Sequence, residues 1–255
     1  MFRLLVLGLG GLAFGSFLTV LIVRLPERRQ VTTGRSGCPS CGALVAARDN
    51  VPVVSYVLLR GRCRSCGMGI SPMYPAVELA TAGLFVAVGW ALPDVWLDVL
   101  VAPFVGILLA AAVIDARHRI IPNRLVYAAL VVFAAFLVGA QLAHAEPRLL
   151  GAGIGFLAYG GGLLLVALAV PGGMGMGDVK LAALIGLVLG SLGLRYVAVA
   201  AMAAILAGGV GAVAALMAGR TRKHAIPFGP YLAAGAMVAS VFGGRIAAWY
   251  GGLLH

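Results

Sequence analysis

Long apolar stretches, separated by short polar loops, make up most of this 255-residue chain. Eight such stretches can be located, near 3–25, 75–92, 98–115, 124–143, 149–170, 179–191, 196–218 and 227–249. A helix that crosses a bilayer needs about 20 apolar residues and satisfies its own backbone hydrogen bonds. The pattern therefore predicts an all-α fold, a polytopic transmembrane helical bundle of about eight spans. The sixth stretch is short, so we expect it to tilt or to be half-buried by its neighbours.

The composition agrees with a membrane protein. Hydrophobic residues make up 62% of the sequence and charged residues only 11%, with a mean hydropathy of +1.06. These values exclude an ordinary water-soluble globular protein. The 37 glycines lie mostly inside the apolar stretches, where small residues let helices approach closely. The net charge of +11 does not indicate nucleic-acid binding, because the basic residues lie in loops between apolar stretches.

The distribution of basic residues predicts the orientation in the membrane. If the N-terminus lies outside, the cytoplasmic loops carry 15 of the 19 basic residues. These are Arg24, Arg28, Arg29, Arg35, Arg48, Arg60, Arg62, Arg64, Arg117, Arg119, Arg124, Lys180, Arg220, Arg222 and Lys223. The bias alternates through all eight spans, as the positive-inside rule requires. We therefore expect both termini outside and the loop after the first span in the cytoplasm.

One longer polar segment interrupts this alternation of spans and short loops. It lies near 26–74, follows the first span, and contains all four cysteines of the chain. The pattern thus divides the chain into a first span at 1–25, a cytoplasmic insert at 26–74 and a transmembrane core at 75–255.

The cysteines of the insert have the spacing of a metal site. They form two CxxC pairs, CPSC and CRSC, with 21 residues between the pairs. This pattern is typical of a tetrahedral zinc site, with Cys38, Cys41, Cys63 and Cys66 as ligands. Four thiolates leave no open position, so the zinc would be structural and would stabilise an insert too small for a good core. Disulfides are the alternative, which a reducing cytoplasm disfavours.

Acidic residues are rare, and their positions separate loop charges from functional candidates. The chain has eight of them: Glu27, Asp49, Glu78, Asp94, Asp98, Asp115, Glu146 and Asp178. Glu27 and Asp49 lie in the insert, and we interpret Asp94, Asp98 and Glu146 as solvated charges in or beside the outer loops. The remaining three lie at or near membrane depth, where a charge costs roughly 3 kcal/mol or more and marks a functional candidate.

Two of these acids lie at the same expected depth. Asp115 ends the third span and Asp178 begins the sixth, both on the cytoplasmic side. If these spans are neighbours, the two carboxylates can face one another and share a proton. One would take a proton from water while the other donates to a peptide carbonyl, which hydrolyses an amide without a covalent intermediate. Gly175 and Gly177 would let the backbone approach an extended substrate.

Other roles for these residues stay open at this point. Asp178 could cap its helix, Asp115 could pair with Arg117 or Arg119, and Lys180 could tune Asp178 or only contribute to topology. Paired aspartates also occur in proton-coupled transporters, although relay acids usually lie in the middle of a span. A zinc-anchored assembly subunit without chemistry is a third hypothesis.

Several ordered motifs resemble one known family. The stretch GMGMGDVKL, which contains Asp178, resembles the GxGD signature of intramembrane aspartyl proteases, and the subgroup it matches is the bacterial type IV prepilin peptidases. The resemblance covers nearly the whole chain. Its other motifs are GSFLTVLIVRLP, CPSCG, DNVPVVSYVLLRGRCRSCG, ISPMYPAVEL, IDARHRIIPN and PFGPYLAAG.

The resemblance implies an aspartyl endopeptidase of the bacterial inner membrane, in which Asp115 and Asp178 match the first and second catalytic aspartates. Its substrates would be type IV prepilins or pseudopilins, which lose a short basic leader at the cytoplasmic face. The partners would be this substrate and the lipid bilayer, with no nucleic acid, and the oligomeric state is left open.

Many members of that family also methylate the new N-terminus with S-adenosylmethionine. Asp49, Asn50 and Glu78 match the region linked to methylation or substrate binding, although an ion pair with an arginine of the insert is an alternative role for Glu78. This chain departs from the family pattern at three positions. Thr19 stands where Asn is common, Asp49 where Glu is usual, and Met73 where Arg is usual. A peptidase without methylation therefore remains an alternative.

Overall fold

The computed structural model describes residues 1–31, 36–143, 145, 147–170, 174–217 and 227–252. In chain order its helices are α1 (Phe2–Arg24), α2 (Val54–Leu58), α3 (Met73–Ala91), α4 (Val95–His118), α5 (Asn123–Leu142), α6 (Leu149–Gly155), α7 (Gly162–Ala169), α8 (Met176–Leu192), α9 (Leu194–Met217) and α10 (Gly229–Gly252). A 3-10 turn at Ala47–Asp49 precedes α2, and a π-helical turn at Phe156–Gly161 joins α6 to α7. The described residues contain only two isolated β-bridges, so the all-α prediction is confirmed.

The helices have the lengths of a multi-pass membrane protein. Among the described residues, seven helical segments are long and apolar enough to cross a membrane, with Leu149–Ala169 counted as one. The eighth helix, α8, has only 17 residues and packs against α4, α5, α6, α7, α9 and α10. Its Leu181, Leu184, Ile185 and Leu189 are fully buried. The short sixth stretch of the sequence is therefore enclosed by its neighbours, at the centre of the second half of the bundle.

Helices α6 and α8 pack backbone against backbone. Small residues meet in three pairs along this crossing: Gly151 with Gly190, Gly155 with Gly186, and Gly160 with Ala183. A Cβ atom added to Gly151 would lie 2.5 Å from the carbonyl oxygen of Gly190, so no side chain fits there. Gly155 and Gly160 are five residues apart, which is one more than the four that keep two residues on the same face of a regular α-helix. The π-helical turn takes up the additional residue, which keeps the glycines in line.

A partly buried ion pair closes the bundle at the end where α1 begins. Arg3 donates hydrogen bonds of 2.6 and 2.8 Å to the carboxylate of Asp98, which is only 4% exposed. Arg3 also donates to the carbonyl groups of Leu92 and Pro93, which follow the last turn of α3. The interpretation of Asp98 as a solvated loop charge is therefore wrong. The first turn of α4 places this acid inward, where the guanidinium of Arg3 compensates its charge.

The described part of the polar insert lies at the opposite end of the bundle. The backbone N–H of Val53 bonds to the carboxylate of Glu78 near the start of α3. Arg117, close to the C-terminus of α4, contacts the sulfur of Met73 at the first residue of α3. Because Asp115 lies half a turn before Arg117, it occupies the same end of the bundle as the insert.

Candidate active site and metal centre

Asp115 lies where α4 ends. The helix terminates at Arg119, whose φ of +55° lies in the left-handed region, and the N–H of Arg119 bonds to the carbonyl of Asp115 at 2.8 Å. The side chain of Asp115 is buried, and its Oδ2 has no hydrogen-bond partner among the described residues. Gly229, the first residue of α10, packs against this oxygen so closely that an added Cβ would lie 2.6 Å away. A buried carboxylate oxygen is thus held in place without an internal partner.

Asp178 lies in the first turn of α8, two residues after its start. The N-cap of the helix is Gly175, and no side-chain hydrogen bond caps it, so the alternative that Asp178 caps α8 finds no support. The carboxylate of Asp178 points back toward Gly175, and a Cβ added to this glycine would lie 3.3 Å from Oδ2 of Asp178. A negative charge in the first turn is favourable because the helix dipole is positive there.

The two aspartates line one open cleft of about 330 Å³. Its other lining residues are Arg119, Ile120, Ile121, Asn123, Gly175, Met176, Gly177 and Lys180. Helices α4 and α8, the third and sixth predicted spans, are therefore neighbours. Within the described residues Asp115 forms no ion pair with Arg117 or Arg119, so that alternative finds no support.

The walls of this cleft include the three residues that we expect to support the two aspartates, Gly175, Gly177 and Lys180. Gly177 packs against Ile121, and an added Cβ would lie 3.0 Å from the Cβ of Ile121. The ammonium of Lys180 donates a 2.9 Å hydrogen bond to the side-chain oxygen of Asn123 and lies 5.2 Å from the ring centre of Tyr127. Lys180 thus joins α8 to the start of α5, a contact that neither sequence-based interpretation of this residue included.

The four cysteines come together as the spacing predicts. The Sγ atoms of Cys38, Cys41, Cys63 and Cys66 all lie within 4.8 Å of one another, and those of Cys38 and Cys66 are 3.7 Å apart. Tetrahedral zinc with bonds of about 2.3 Å places its sulfurs about 3.8 Å apart, so the geometry fits. All four thiols are free, which argues against the disulfide alternative.

The charge state of these thiols also suits a metal site. The backbone N–H groups of Cys41 and Ser40 lower the pKa of Cys38 to about 6, and those of Cys66 and Ser65 lower the pKa of Cys63. For Cys66, the N–H of Met68 lowers the pKa, but the neighbouring thiol of Cys41 and burial raise it to about 11. Four adjoining thiolates therefore need a cation to be ionised together, which is what a bound divalent metal supplies.

The two cysteine pairs share one backbone design. In the first, the N–H of Cys38 bonds to the carbonyl of Ala43 and the N–H of Gly42 returns to Cys38. In the second, the equivalent bonds join Cys63 to Met68 and Gly67 to Cys63. Gly42 and Gly67 both have a φ of +71°, which favours glycine. The twice-repeated CxxCG is the sequence signal that identifies this design.

The residues linked to methylation lie in the insert and where it joins α3, away from the lining of the cleft. Asp49 accepts hydrogen bonds of 2.7 and 2.9 Å from Arg64, which lower the pKa of this carboxyl and join the 3-10 turn to the second cysteine pair. Asn50 follows that turn directly. Glu78 is buried and accepts a 2.7 Å hydrogen bond from the N–H of Val53. The alternative of an ion pair between Glu78 and an arginine is not seen among the described residues.

Comparison with known proteins agrees with this arrangement. Residues 102–215 match the model of the type IV leader peptidase family, and residues 9–92 match the bacterial peptidase A24 N-terminal domain. A prepilin leader peptidase/N-methyltransferase of Bacillus subtilis is 37% identical over 94% of this chain and 94% of its own length. Proteins of the same name from Pseudomonas aeruginosa and Aeromonas salmonicida are 33% and 32% identical, each over 94% of this chain and 90% of their own. No solved structure gives a significant match. The chain belongs to the type IV leader peptidase family.

Proposed function

We propose that this chain is a membrane-embedded aspartyl endopeptidase that removes the short basic leader of type IV prepilins or pseudopilins, with Asp115 and Asp178 as its catalytic residues. The observation that carries this proposal is that two carboxylates from separate helices line one cleft at one end of the bundle. The substrate class comes from the relatives, whose name is prepilin leader peptidase/N-methyltransferase. A proton-coupled transporter is not favoured, because both aspartates lie at helix ends and the family is a peptidase family.

The chemistry follows from two carboxylates that share one proton. The ionised aspartate takes a proton from a water molecule, whose oxygen attacks the peptide carbonyl carbon. The protonated aspartate donates to the carbonyl oxygen, which gives a tetrahedral intermediate. When the intermediate collapses and the C–N bond breaks, the first aspartate returns its proton to the leaving amine, and the second takes back the hydroxyl proton as the acid forms. The pair then holds one proton again.

The rim of the cleft suits a substrate that is cut beside an apolar segment. Ile120 and Met176 line the cleft and are 45% and 51% exposed, so they can contact the apolar residues that follow the leader. The basic Arg119 and Lys180 lie on the same lining. A basic leader would avoid these cations, and we expect it to leave the cleft on the side away from them.

Orientation and location in the cell belong to the same proposal. The excess of arginine in the insert and in the loop after α4 supports a cytoplasmic position for the cleft and the insert, with both termini outside. The location would be the bacterial inner membrane. The division into a first span at 1–25, an insert at 26–74 and a protease core at 75–255 agrees with this orientation.

We also propose that the four cysteines hold a structural zinc ion and that the chain retains methylation with S-adenosylmethionine. Zinc would cross-link the two cysteine pairs of a segment that has almost no apolar core of its own. Methylation is supported by the double name of relatives that align over 94% of the chain. At one of the three departures, Asp49, the carboxylate accepts hydrogen bonds from Arg64, which hold the 3-10 turn against the second cysteine pair.

Intact mass spectrometry tests both activities in one experiment. The purified full-length protein is incubated in lipid with a prepilin peptide and S-adenosylmethionine, and the peptide mass is followed with time. The variants Asp115→Asn and Asp178→Asn are compared with Asp94→Asn, which changes an exposed acid at the other end of α4. We expect loss of the leader with the unchanged protein and with Asp94→Asn, and at least about a thousand-fold slower cleavage with the other two variants.

Three results would contradict the proposal in different parts. Normal cleavage by either Asp115→Asn or Asp178→Asn would overturn the two-aspartate mechanism. No cleavage of any prepilin by folded, zinc-loaded protein would overturn the peptidase function. Cleaved product that never gains a methyl group would overturn methylation and leave the peptidase proposal intact.

A further inference from the structure

The short helix α2 of the insert turns its apolar side chains outward. Val54, Val57 and Leu58 are 52%, 65% and 75% exposed, and their spacing places them on one face. Ser55, on another face, is buried, where its hydroxyl accepts from the N–H of Val51 and donates to a backbone carbonyl. This arrangement is the reverse of a helix that packs its apolar face inward and meets water with its polar face.

The position of α2 relative to the spans is defined by its N-terminal neighbour. The N–H of Val53 donates to Glu78, a buried residue of α3, and Gly15 of α1 packs directly against the backbone of Glu78. Two membrane-spanning helices therefore meet at the point where α2 begins. The φ of Val53 is +61°, which is unusual for a β-branched residue and shows that the chain is held in a sharp bend here. The exposed apolar face starts at the edge of the membrane region, not at the tip of a free loop.

Positive charge follows the apolar face directly. Arg60 and Arg62 are exposed, and within the described part of the chain neither forms an ion pair. The segment 26–74 has seven arginines against two acids. An apolar helix face bordered by unpaired cations is the arrangement that binds the interface of an anionic bilayer.

We propose that α2, together with Arg60 and Arg62, lies in the membrane interface, with Val54, Val57 and Leu58 among the acyl chains and the two guanidinium groups on anionic lipid headgroups. The insert would then lie on the membrane beside the bundle and not project freely into water. This proposal does not depend on the peptidase function. The apolar segment of a substrate and a second copy of this chain are the competing occupants.

Tryptophan fluorescence with brominated lipids tests this position in the full-length protein. The three native tryptophans (Trp90, Trp96 and Trp249) are replaced by Phe, and Val57→Trp is introduced as the reporter. Two reference variants, each with a single tryptophan, are made in the same tryptophan-free protein. Leu79→Trp lies on the exposed side of the spanning helix α3, and Ser65→Trp lies in the exposed second cysteine pair. Vesicles contain phosphatidylcholine brominated on the acyl chain, with or without phosphatidylglycerol.

We expect the bromine to quench Val57→Trp nearly as strongly as Leu79→Trp and much more than Ser65→Trp. Phosphatidylglycerol should increase the quenching, and Arg60→Gln combined with Arg62→Gln should remove that increase. Retained zinc content shows that each variant has kept the fold of its insert. Quenching of Val57→Trp no greater than that of Ser65→Trp would overturn the proposal. The proposal would also be overturned if a prepilin peptide abolished the quenching, because the substrate would then occupy this face. It would likewise be overturned if the quenching depended on protein density, because a second copy of the chain would then be the occupant.

Discussion

The backbone N–H of Val53 donates a 2.7 Å hydrogen bond to Oε2 of Glu78, and this bond joins the polar insert to the second membrane span. Glu78 is only 7% exposed, and Gly15 of α1 packs against its backbone. A carboxylate at this depth is unfavourable unless it has a donor, and Val53 supplies one. The bond therefore positions the insert and gives the buried carboxyl group of the span a hydrogen-bond donor.

Replacing Glu78 tests this link. Glu78→Ala removes the acceptor and leaves the N–H of Val53 unpaired, at a cost of about 1–3 kcal/mol. We expect limited proteolysis to cut the segment 26–74 several times faster in this variant, while the spans stay resistant. Glu78→Gln keeps an acceptor oxygen and should behave much more like the unchanged protein. Equal proteolysis of the two variants would mean that the contact does not hold the insert.

A second prediction concerns the packing of Gly229 against Asp115. An added Cβ at this position would lie 2.6 Å from Oδ2 of the aspartate, so Gly229→Ala must displace the carboxylate. A shift of about 1 Å in a catalytic group costs on the order of a hundred-fold in rate, and we expect cleavage to slow by about that factor. The thermal unfolding temperature should change little, because Gly229 is the first residue of α10.

Gly209→Ala is the matched control for that experiment. Its added Cβ meets no atom within 4 Å, although the residue also lies in an apolar helix of the second half of the chain. Cleavage by this variant should be unchanged. If Gly229→Ala cleaved at the same rate as Gly209→Ala, the close packing of α10 would be irrelevant to the position of Asp115.

The crossing of α6 and α8 gives a third prediction. A Cβ at Gly186 would collide with the carbonyl of Gly155, so Gly186→Ala must separate the two helices. Overpacking of this kind costs about 1–3 kcal/mol. We expect a lower thermal unfolding temperature and less folded protein in detergent. Gly153→Ala, on the exposed side of α6, meets nothing within 4 Å and should be neutral or stabilising by up to about 1 kcal/mol.

The fourth prediction is a pH dependence of zinc retention. The pKa of Cys38 is lowered from 9.0 to about 6, so this thiolate stabilises the folded site fully above pH 9.0 and loses that contribution as the pH falls through about 6. Protons then compete with the metal, because zinc binds the thiolate. Dialysis at a series of pH values, followed by metal analysis, should show zinc retained at neutral pH and progressively released on acidification.

Two variants check the origin of that release. Cys38→Ser removes a ligand and should move zinc release to higher pH or abolish binding. Ser40→Ala should leave the release unchanged, because only the backbone N–H of Ser40 acts on the thiol of Cys38. Zinc retention that does not fall as the pH is lowered would contradict this account of the site.

The sequence predicted much of this molecule because the bilayer imposes strong and simple constraints. Apolar length located the seven membrane-length helical segments and the shorter α8, and cysteine spacing located the cluster of four thiols. The depth argument singled out Asp115 and Asp178, which do share a cleft. It could not place Asp98, because a first-turn residue of α4 and a loop residue have the same local sequence pattern. The partner of Asp98 is Arg3, at the other end of the first half of the chain.

Features that depend on packing between distant segments were also missed. The partner of Glu78 is a backbone N–H in the insert, and a backbone group carries no side-chain signal. The π-helical turn was not predicted, since nothing in FLAYGG distinguishes it from an α-helical sequence. Only the positions of the facing glycines on α6 and α8 make that turn necessary.

The glycine pairs between α6 and α8 have a consequence for how the cleft can change shape. Sliding would bring these closely packed backbones into collision, so we expect α8 and its Asp178 to keep their position when the cleft changes shape. Asp115 sits beside the left-handed turn at Arg119, where the chain leaves α4 for a short connection to α5. We therefore expect substrates of different bulk to be accommodated by movement of the Asp115 side of the cleft alone.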